Sequence, residues 1–382
     1  MNSIFETWRK LLSEAKATPG CKLPNRGDIA EGIVAAAIVA KLSAREDGVV
    51  GIVTPEDILQ QVIRIESMAT TVTSVVPDLS GEFEDTISFA ISMPKRPFAA
   101  LMDPGLVHCL VGEYEGAAKY VNSAPMHRFA HRLANNKKSN EIFIKAAGTE
   151  DQRGTKVDIS IVVDGEKKRN LISLKVKGGD QVAQKTGKGF SVQQAFWEPL
   201  GVNIDRLEAP YSELVAEIPE GKPFDSREAI TEGGYLVTAG AATSLVYSDA
   251  FRQLQSHLDE NRLEADFVAR LADYIKEGIT GPEAEFIELV KIEGGDFKRA
   301  RFGSQYYKEM EKANLYPVYT ESGSYPKIQI IFQDEEGNES VLVQMRSKVE
   351  RASSQTKAGK RYGVLMRNYL EAGKALYKIA GV

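Results

Sequence analysis

Residues 156–177, KVDISIVVDGEKKRNLISLKVK, place alternating apolar and polar side chains on both sides of a polar turn. Successive side chains of a strand point to opposite faces, so each flank has one apolar and one polar face. On the first flank Asp158, Ser160 and Asp164 oppose Ile159, Ile161 and Val163; on the second, Ser173, Lys175 and Lys177 oppose Ile172, Leu174 and Val176. A hairpin that gathers both apolar sets on one side gathers both polar sets on the other. Any register turning near Glu166 or Lys167 then sets Asp158 beside Ser173 or Lys175.

The rest of the chain predicts what surrounds this hairpin. Helical periodicity covers 3–17 and 28–42, the latter with Asp28 as N-cap and Glu31 in its first turn. A third helix starts at Thr54, with Pro55 in its first turn and Asp57 completing a capping pattern. Strand-like runs at 70–76 and 86–92, helices near 104–121 and 125–135, and a strand at 141–147 lead into the hairpin. SVQQAFWEPLG follows as a short helix. The second half reads as mostly helical from 248 to 313, then as strands at 327–333 and 340–348 and a closing helix over 361–379. This order specifies an α/β (α+β) fold: a mixed sheet flanked by helices, then a mainly helical domain ending in a β-hairpin and helix. A chain of 382 residues with 43% hydrophobic content can fill two ordinary domains. The Pro- and Gly-bearing stretch 217–234 is the expected linker, giving domains 1–220 and 221–382.

An internal echo cuts across that division. Shifted by 171 residues, KIQIIFQDEEGNESVLVQMRSK (327–348) lies over 156–177 without a gap, and with one further residue AGKRYGVLMRNYLEAG lies over TGKGFSVQQAFWEPLG. Turn chemistry and alternation make such likeness by convergence as well as by duplication. In the second copy Gln329 stands for Asp158 and Gln344 for Ser173, so that copy lacks the carboxylates to hold a divalent cation.

The net charge of −5 is unevenly placed. Residues 156–188 hold eight Lys/Arg against four Asp/Glu and residues 341–382 nine against two, so these stretches carry +11 and the remainder −16. Local basic surfaces suit phosphate binding. The candidate contacts are Lys177, Lys185 and Lys188 in the first stretch and Arg346, Lys348, Arg351 and Arg367 in the second. Cys21 and Cys109 are too few for a disulfide framework or a thiolate zinc site, which predicts a reducing cytoplasm. The longest apolar run, GIVAAAIVAKL, falls short of the roughly 20 residues a membrane span needs, and a signal-peptide pattern is missing from the N-terminus. GGDQVAQKTGKGFS fails as a P-loop, because Gly189 follows Lys188 and Val182 stands where the first Gly is required. His127 and His131, four apart on a helix, lack the HExxH pattern and read as surface residues; His108 and His257 are isolated.

Asp158 in TKVDI, Ser173 and Lys175 in ISLKVK, and Glu31 in GDIAEGI together resemble the motif of the PD-(D/E)XK nucleases, which have the restriction-endonuclease-like fold. The resemblance spans about residues 25–200, and SLK followed by DQVAQ is similar to a phage-encoded branch. In that family an Asp enters one strand, an acidic residue two before a Lys follows on the next, and a Glu comes from an earlier helix. The resemblance implies a catalytic set of Asp158, Lys175, Glu31, Ser173 and Gln181, with Gln184 or Gln193 as alternatives to Gln181 for hydrogen-bonding substrate or water. It implies Mg²⁺ (or Mn²⁺) held by Asp158, Glu31 and the Leu174 carbonyl, with Asp164, Glu166 and Asp180 in reserve. Ser173 departs from the pattern, since a neutral hydroxyl is a weak ligand for Mg²⁺. The implied function is a metal-dependent DNA endonuclease; the competing one is a catalytically inactive, nuclease-like nucleic-acid-binding or phage structural protein. One active copy per chain implies a homodimer for a double-strand break, whereas duplication implies a pseudo-dimer within one chain.

Overall fold

The computed structural model describes residues 21, 23–46, 49–68, 74–75, 87–92, 95–134, 142–146, 158–163, 170–176, 181–280, 287–322, 325–357 and 359–381. The helix expected over 3–17 and the candidates Asp164, Glu166, Lys177 and Asp180 lie outside these residues. The first elements along the chain are α1 (Arg26–Ser43), α2 (Pro55–Met68), β1 (Ser74–Val75), β2 (Ile87–Ser92), α3 (Lys95–Leu101), α4 (Val107–Val121) and α5 (Ala124–Ala134). Then come β3 (Ile142–Ala146), β4 (Ile159–Val163), β5 (Asn170–Val176), β6 (Gln181–Thr186), α6 (Phe190–Trp197), α7 (Glu208–Ala216), α8 (Glu228–Glu232), α9 (Tyr235–Ser256) and α10 (Ala265–Thr280). The chain ends through β7 (Ile287–Glu293), β8 (Asp296–Arg301), α11 (Ser304–Lys312), β9 (Asn314–Ser322), β10 (Tyr325–Gln333), β11 (Glu339–Thr356), β12 (Gly359–Ala372) and α12 (Lys374–Ile379).

The chain forms two compact units, one of residues 1–179 with 280–303, the other of 180–279 with 304–382. The linker expected at 217–234 instead falls inside the second unit. There Ile230 is buried, the Ile218 carbonyl accepts the Lys188 ammonium at 2.7 Å, and Phe224 bridges to Tyr362. Pro and Gly mark loops, but a loop can close a unit as well as join two.

In the first unit a short antiparallel pair, Arg45–Glu46 with Val49–Val50, stands apart from a seven-stranded mixed sheet in the order β8-β7-β5-β4-β3-β2-β1. β2 runs parallel to β3 and β5 parallel to β7, while the other neighbours are antiparallel. The alternation expected for β3 and β4 is present: Ile142, Ile144 and Ala146, and Ile159, Ile161 and Val163, are buried and the residues between them are not. These side chains join Ile172, Leu174, Val290 and Ile292 in one core with α1. α1 is Ala-rich and apolar around its whole circumference, and residues 28–42 are all buried, as such a helix requires. α2 starts as its sequence predicts, with Thr54 and Asp57 exchanging side-chain to backbone bonds at 2.8 and 3.2 Å.

Two segments differ from the helical reading of the second half. Within 248–313, β7 and β8 form a hairpin that turns on Gly294 and Gly295, whose φ values of 63° and 77° are left-handed and suit a two-residue turn. The expected closing helix is strand β12 as far as Ala372, paired residue by residue with β11, and only α12 remains helical. Gly363 in that strand approaches the Gly221 carbonyl so closely that a Cβ would lie 2.1 Å from its oxygen. Close backbone approach and an eighteen-residue partner strand outweigh the local pattern here. The second unit's described sheet has the order β9-β10-β11-β12-β6 and is antiparallel throughout. The strands expected at 327–333 and 340–348 are β10 and β11.

Candidate active site

β4 and β5 pair with Ile159 opposite Ile172, which brings Asp158, just before β4, level with Ser173. The Asp158 N–H donates to the Ile172 carbonyl at 3.0 Å, holding the residue at the start of β4. Its carboxylate oxygen Oδ2 accepts the Leu174 N–H at 2.5 Å and the Ser173 hydroxyl at 3.2 Å. Lys175 Nζ donates to Ser173 Oγ at 3.0 Å and lies 3.6 Å from the same Asp158 oxygen. Ser173 therefore uses its hydroxyl twice, as donor to Asp158 and acceptor from Lys175. Among the described residues every one of these contacts falls on Oδ2. Both backbone groups of a strand residue point to the same neighbour, so the Leu174 carbonyl faces the same side as its N–H.

A second carboxyl, Asp28, feels the charge of Asp158. Asp28, expected to cap α1, is the third residue inside the helix, and Asn25 occupies the cap with φ 39° and ψ 71° and no side-chain cap bond. Burial pushes the Asp28 carboxyl up, the Asn25 side chain pulls it down, and the charge of Asp158 raises it further. Asp28 Oδ2 is buried and, among the described residues, has no hydrogen-bond partner. Burial likewise pushes Asp158 up, with Lys175, the Leu174 N–H and Ser173 pulling the other way. Glu31 is buried one turn beyond Asp28, on the same face of α1.

β7 adds a cation. Its parallel register sets Lys291 beside Lys175 and Leu289 beside Ser173, so the two lysines occupy neighbouring positions on one face. Lys291 also pairs with Glu293 at 3.5 Å. Asp28 and Lys291 are the site residues that sequence reasoning missed. The signal for Asp28 was its spacing of three from Glu31, and for Lys291 the Gly-Gly turn that makes β7 a strand.

These donors fit a hard divalent cation. Asp158, Asp28 and Glu31 offer carboxylate oxygens, one of them buried without a hydrogen-bond partner among the described residues, and oxygen donors are what Mg²⁺ and Mn²⁺ take.

The other predicted residues belong to the second unit. Gln181 on β6 donates to Gln184 at 2.8 Å, and Gln193 is buried between Tyr211 and Asn368 at 3.1 and 3.0 Å. Lys188 is held by the Ile218 carbonyl and by Glu220 at 2.9 Å. Arg346 makes a two-pronged pair with Glu371 at 2.8 and 2.6 Å, while Lys348 and Arg367 share Glu350 at 2.7 and 3.2 Å. Arg351 donates to the Thr231 hydroxyl at 2.8 Å, and Lys185 is exposed. Glu350 and Glu371 are the only two carboxylate side chains of 341–382, so these pairs hold Arg346, Lys348 and Arg367 in place and leave the basic excess of that stretch standing. His127 and His131 are exposed on α5.

No family model and no curated protein matches this chain. Among the described residues no helix is long and apolar enough to cross a membrane.

Proposed function

We propose that this chain is a metal-dependent DNA endonuclease of PD-(D/E)XK type, with its reaction centre in the first unit. The supporting observation is the half-buried Asp158 carboxylate with Lys175 Nζ 3.6 Å away, near enough to the buried Asp28 for its charge to raise that carboxyl. Asp158 and Asp28, with Glu31 and the Leu174 carbonyl, would hold Mg²⁺ or Mn²⁺. When bound, the cation polarises a phosphate oxygen and lowers the pKa of a water. Lys175 contributes a fixed positive charge for the oxygens of the scissile phosphate, with Lys291 beside it as a second. Ser173 orients Lys175 and Asp158 instead of ligating, which accounts for a hydroxyl where the motif has a carboxylate. The Leu174 N–H fixes the Asp158 carboxylate. A phage origin, a cytoplasmic location and a homodimer for double-strand cleavage belong to the same proposal.

Incubation of supercoiled plasmid and of single-stranded DNA with the full chain and Mg²⁺ or Mn²⁺ tests it. Wild type should cut, and Asp158→Ala and Lys175→Ala should not; no cutting by wild type, or equal cutting by both variants, discards the enzyme. Ser173 favours a second reading, a nuclease-like binder without catalysis. Gel retardation of DNA that survives both substitutions and weakens steeply with salt would select it.

A further inference from the structure

Cys21 and Cys109 are bonded as a disulfide, and His108 faces both sulfurs. Its Nε2 lies 3.3 Å from Cys109 Sγ and 3.8 Å from Cys21 Sγ, so two sulfurs and one imidazole nitrogen occupy a single small volume. The sequence separates the cysteines by 88 residues and left His108 isolated, so counting cysteines along the chain missed the cluster. α4 supplies His108 and Cys109. Arg26, at the start of α1, donates to the Cys109 carbonyl at 3.4 Å and pairs with Glu113 one turn further along α4. The cluster therefore sits on an anchored helix at the start of α1, with Cys109 buried and Cys21 and His108 partly exposed.

We infer that Cys21, His108 and Cys109 form a redox-gated zinc site: the disulfide is its metal-free oxidised state, and the reduced pair with His108 binds Zn²⁺. Zn–S bonds of about 2.3 Å and Zn–N bonds of about 2.0–2.1 Å in a tetrahedron give S···N edges of about 3.5 Å and an S···S edge of about 3.8 Å. Both observed S···N distances bracket that edge, so the imidazole needs little movement and only the sulfurs must part. Thiolate and imidazole are the donors that zinc prefers, unlike the all-oxygen set around Asp158. A water completes the fourth position. Reduction by a phosphine balances as disulfide plus phosphine plus water giving two thiols plus phosphine oxide. Binding then exchanges the two thiol protons for one Zn²⁺, so affinity rises with pH. Both the disulfide and the zinc-bound state tie residue 21 to α4, whereas the reduced, metal-free state releases it. The inference is independent of the nuclease reading.

The test uses the full chain, reduced with a phosphine, desalted and titrated with Zn²⁺, with Co²⁺ as a spectroscopic substitute. Reduced wild type should retain one zinc per chain, protect both thiols from a thiol reagent, and give a thiolate-to-cobalt charge-transfer band. The oxidised chain should give no thiolate-to-cobalt band and hold one zinc fewer than the reduced chain, and it controls both for folding and for any carboxylate site because its sequence is unchanged. Cys21→Ser and His108→Ala should each lose about tenfold or more in zinc affinity. Equal zinc binding by reduced and oxidised chains, or a Cys21→Ser protein with the wild-type cobalt band, would overturn the inference.

Discussion

The hairpins β4–β5 and β10–β11 share a register as far as a bulge after Ile330, and their polar faces do different things. Ile159 opposite Ile172 corresponds, under the 171-residue shift, to Ile330 opposite Val343, so Asp158 and Ser173 stand where Gln329 and Gln344 stand. In the second hairpin the network closes on itself. Gln329 donates to Gln344 at 3.1 Å, Gln344 to Glu371 at 2.9 Å, and Arg346, the counterpart of Lys175, takes both oxygens of Glu371. In the first, burial raises two carboxyls, Asp158 and Asp28, the charge of Asp158 raises Asp28 further, and among the described residues Asp28 Oδ2 has no hydrogen-bond partner. One backbone pattern thus carries a closed hydrogen-bond network in one hairpin and, in the other, the carboxylates for which a bound cation is proposed. The echo ends at the hairpins: α6 is a helix where the shifted segment is strand β12, and β5 takes a parallel neighbour where β11 takes an antiparallel one.

The largest expected effect separates the two networks by activity. Asp158→Asn or Lys175→Met should lower Mg²⁺-dependent plasmid cleavage by about 10²-fold or more, the cost of removing one positioned charge. Gln329→Ala should leave cleavage within about twofold, as an independent site does; comparable losses in both hairpins would erase the distinction.

Next comes Asp28→Asn, which should weaken cleavage while making the metal-free protein harder to unfold. A carboxyl raised in the folded state contributes stability that is complete below its ordinary value of 3.8 and is lost as pH rises through the raised value. The gain of the Asn variant over wild type should therefore be largest near neutral pH and shrink toward pH 4, read from urea midpoints. A gain that stays constant across this range would mean that Asp28 is not raised.

A smaller change is expected at Glu371. Replacing it by Gln removes the counter-charge of Arg346 and should cost about 1–2 kcal/mol in urea unfolding, in line with a charged hydrogen bond that is partly exposed. Smallest is Gln329→Ala, at about 1 kcal/mol or less for one neutral hydrogen bond. The reverse order of these two would contradict the closed network described for the second hairpin.

What could be read in advance was local. Period-two alternation is enough to set Asp158 beside Ser173 and Lys175, and the Thr54–Asp57 exchange is written in four residues. Asp28 was legible as a polar residue at a helix start, but a capping role explained it well enough to hide its neighbour across the sheet. The parallel pairing of β5 with β7 joins residues more than a hundred positions apart, and no local pattern names so distant a partner. The Gly294–Gly295 turn was a local signal, overridden by a helical reading of its flanks. β12 is the opposite case, since only its long partner strand and the approach of Gly221 to Gly363 make it extended.

Calorimetric titration of Mn²⁺ into wild type, Asp158→Asn, Asp28→Asn and Gln329→Ala, at two pH values, measures the cation site directly. One Mn²⁺ should bind wild type and Gln329→Ala alike, more tightly at the higher pH, and both Asp variants should lose that binding. Equal Mn²⁺ affinity in wild type and the two Asp variants would contradict a cation held between β4, β5 and α1.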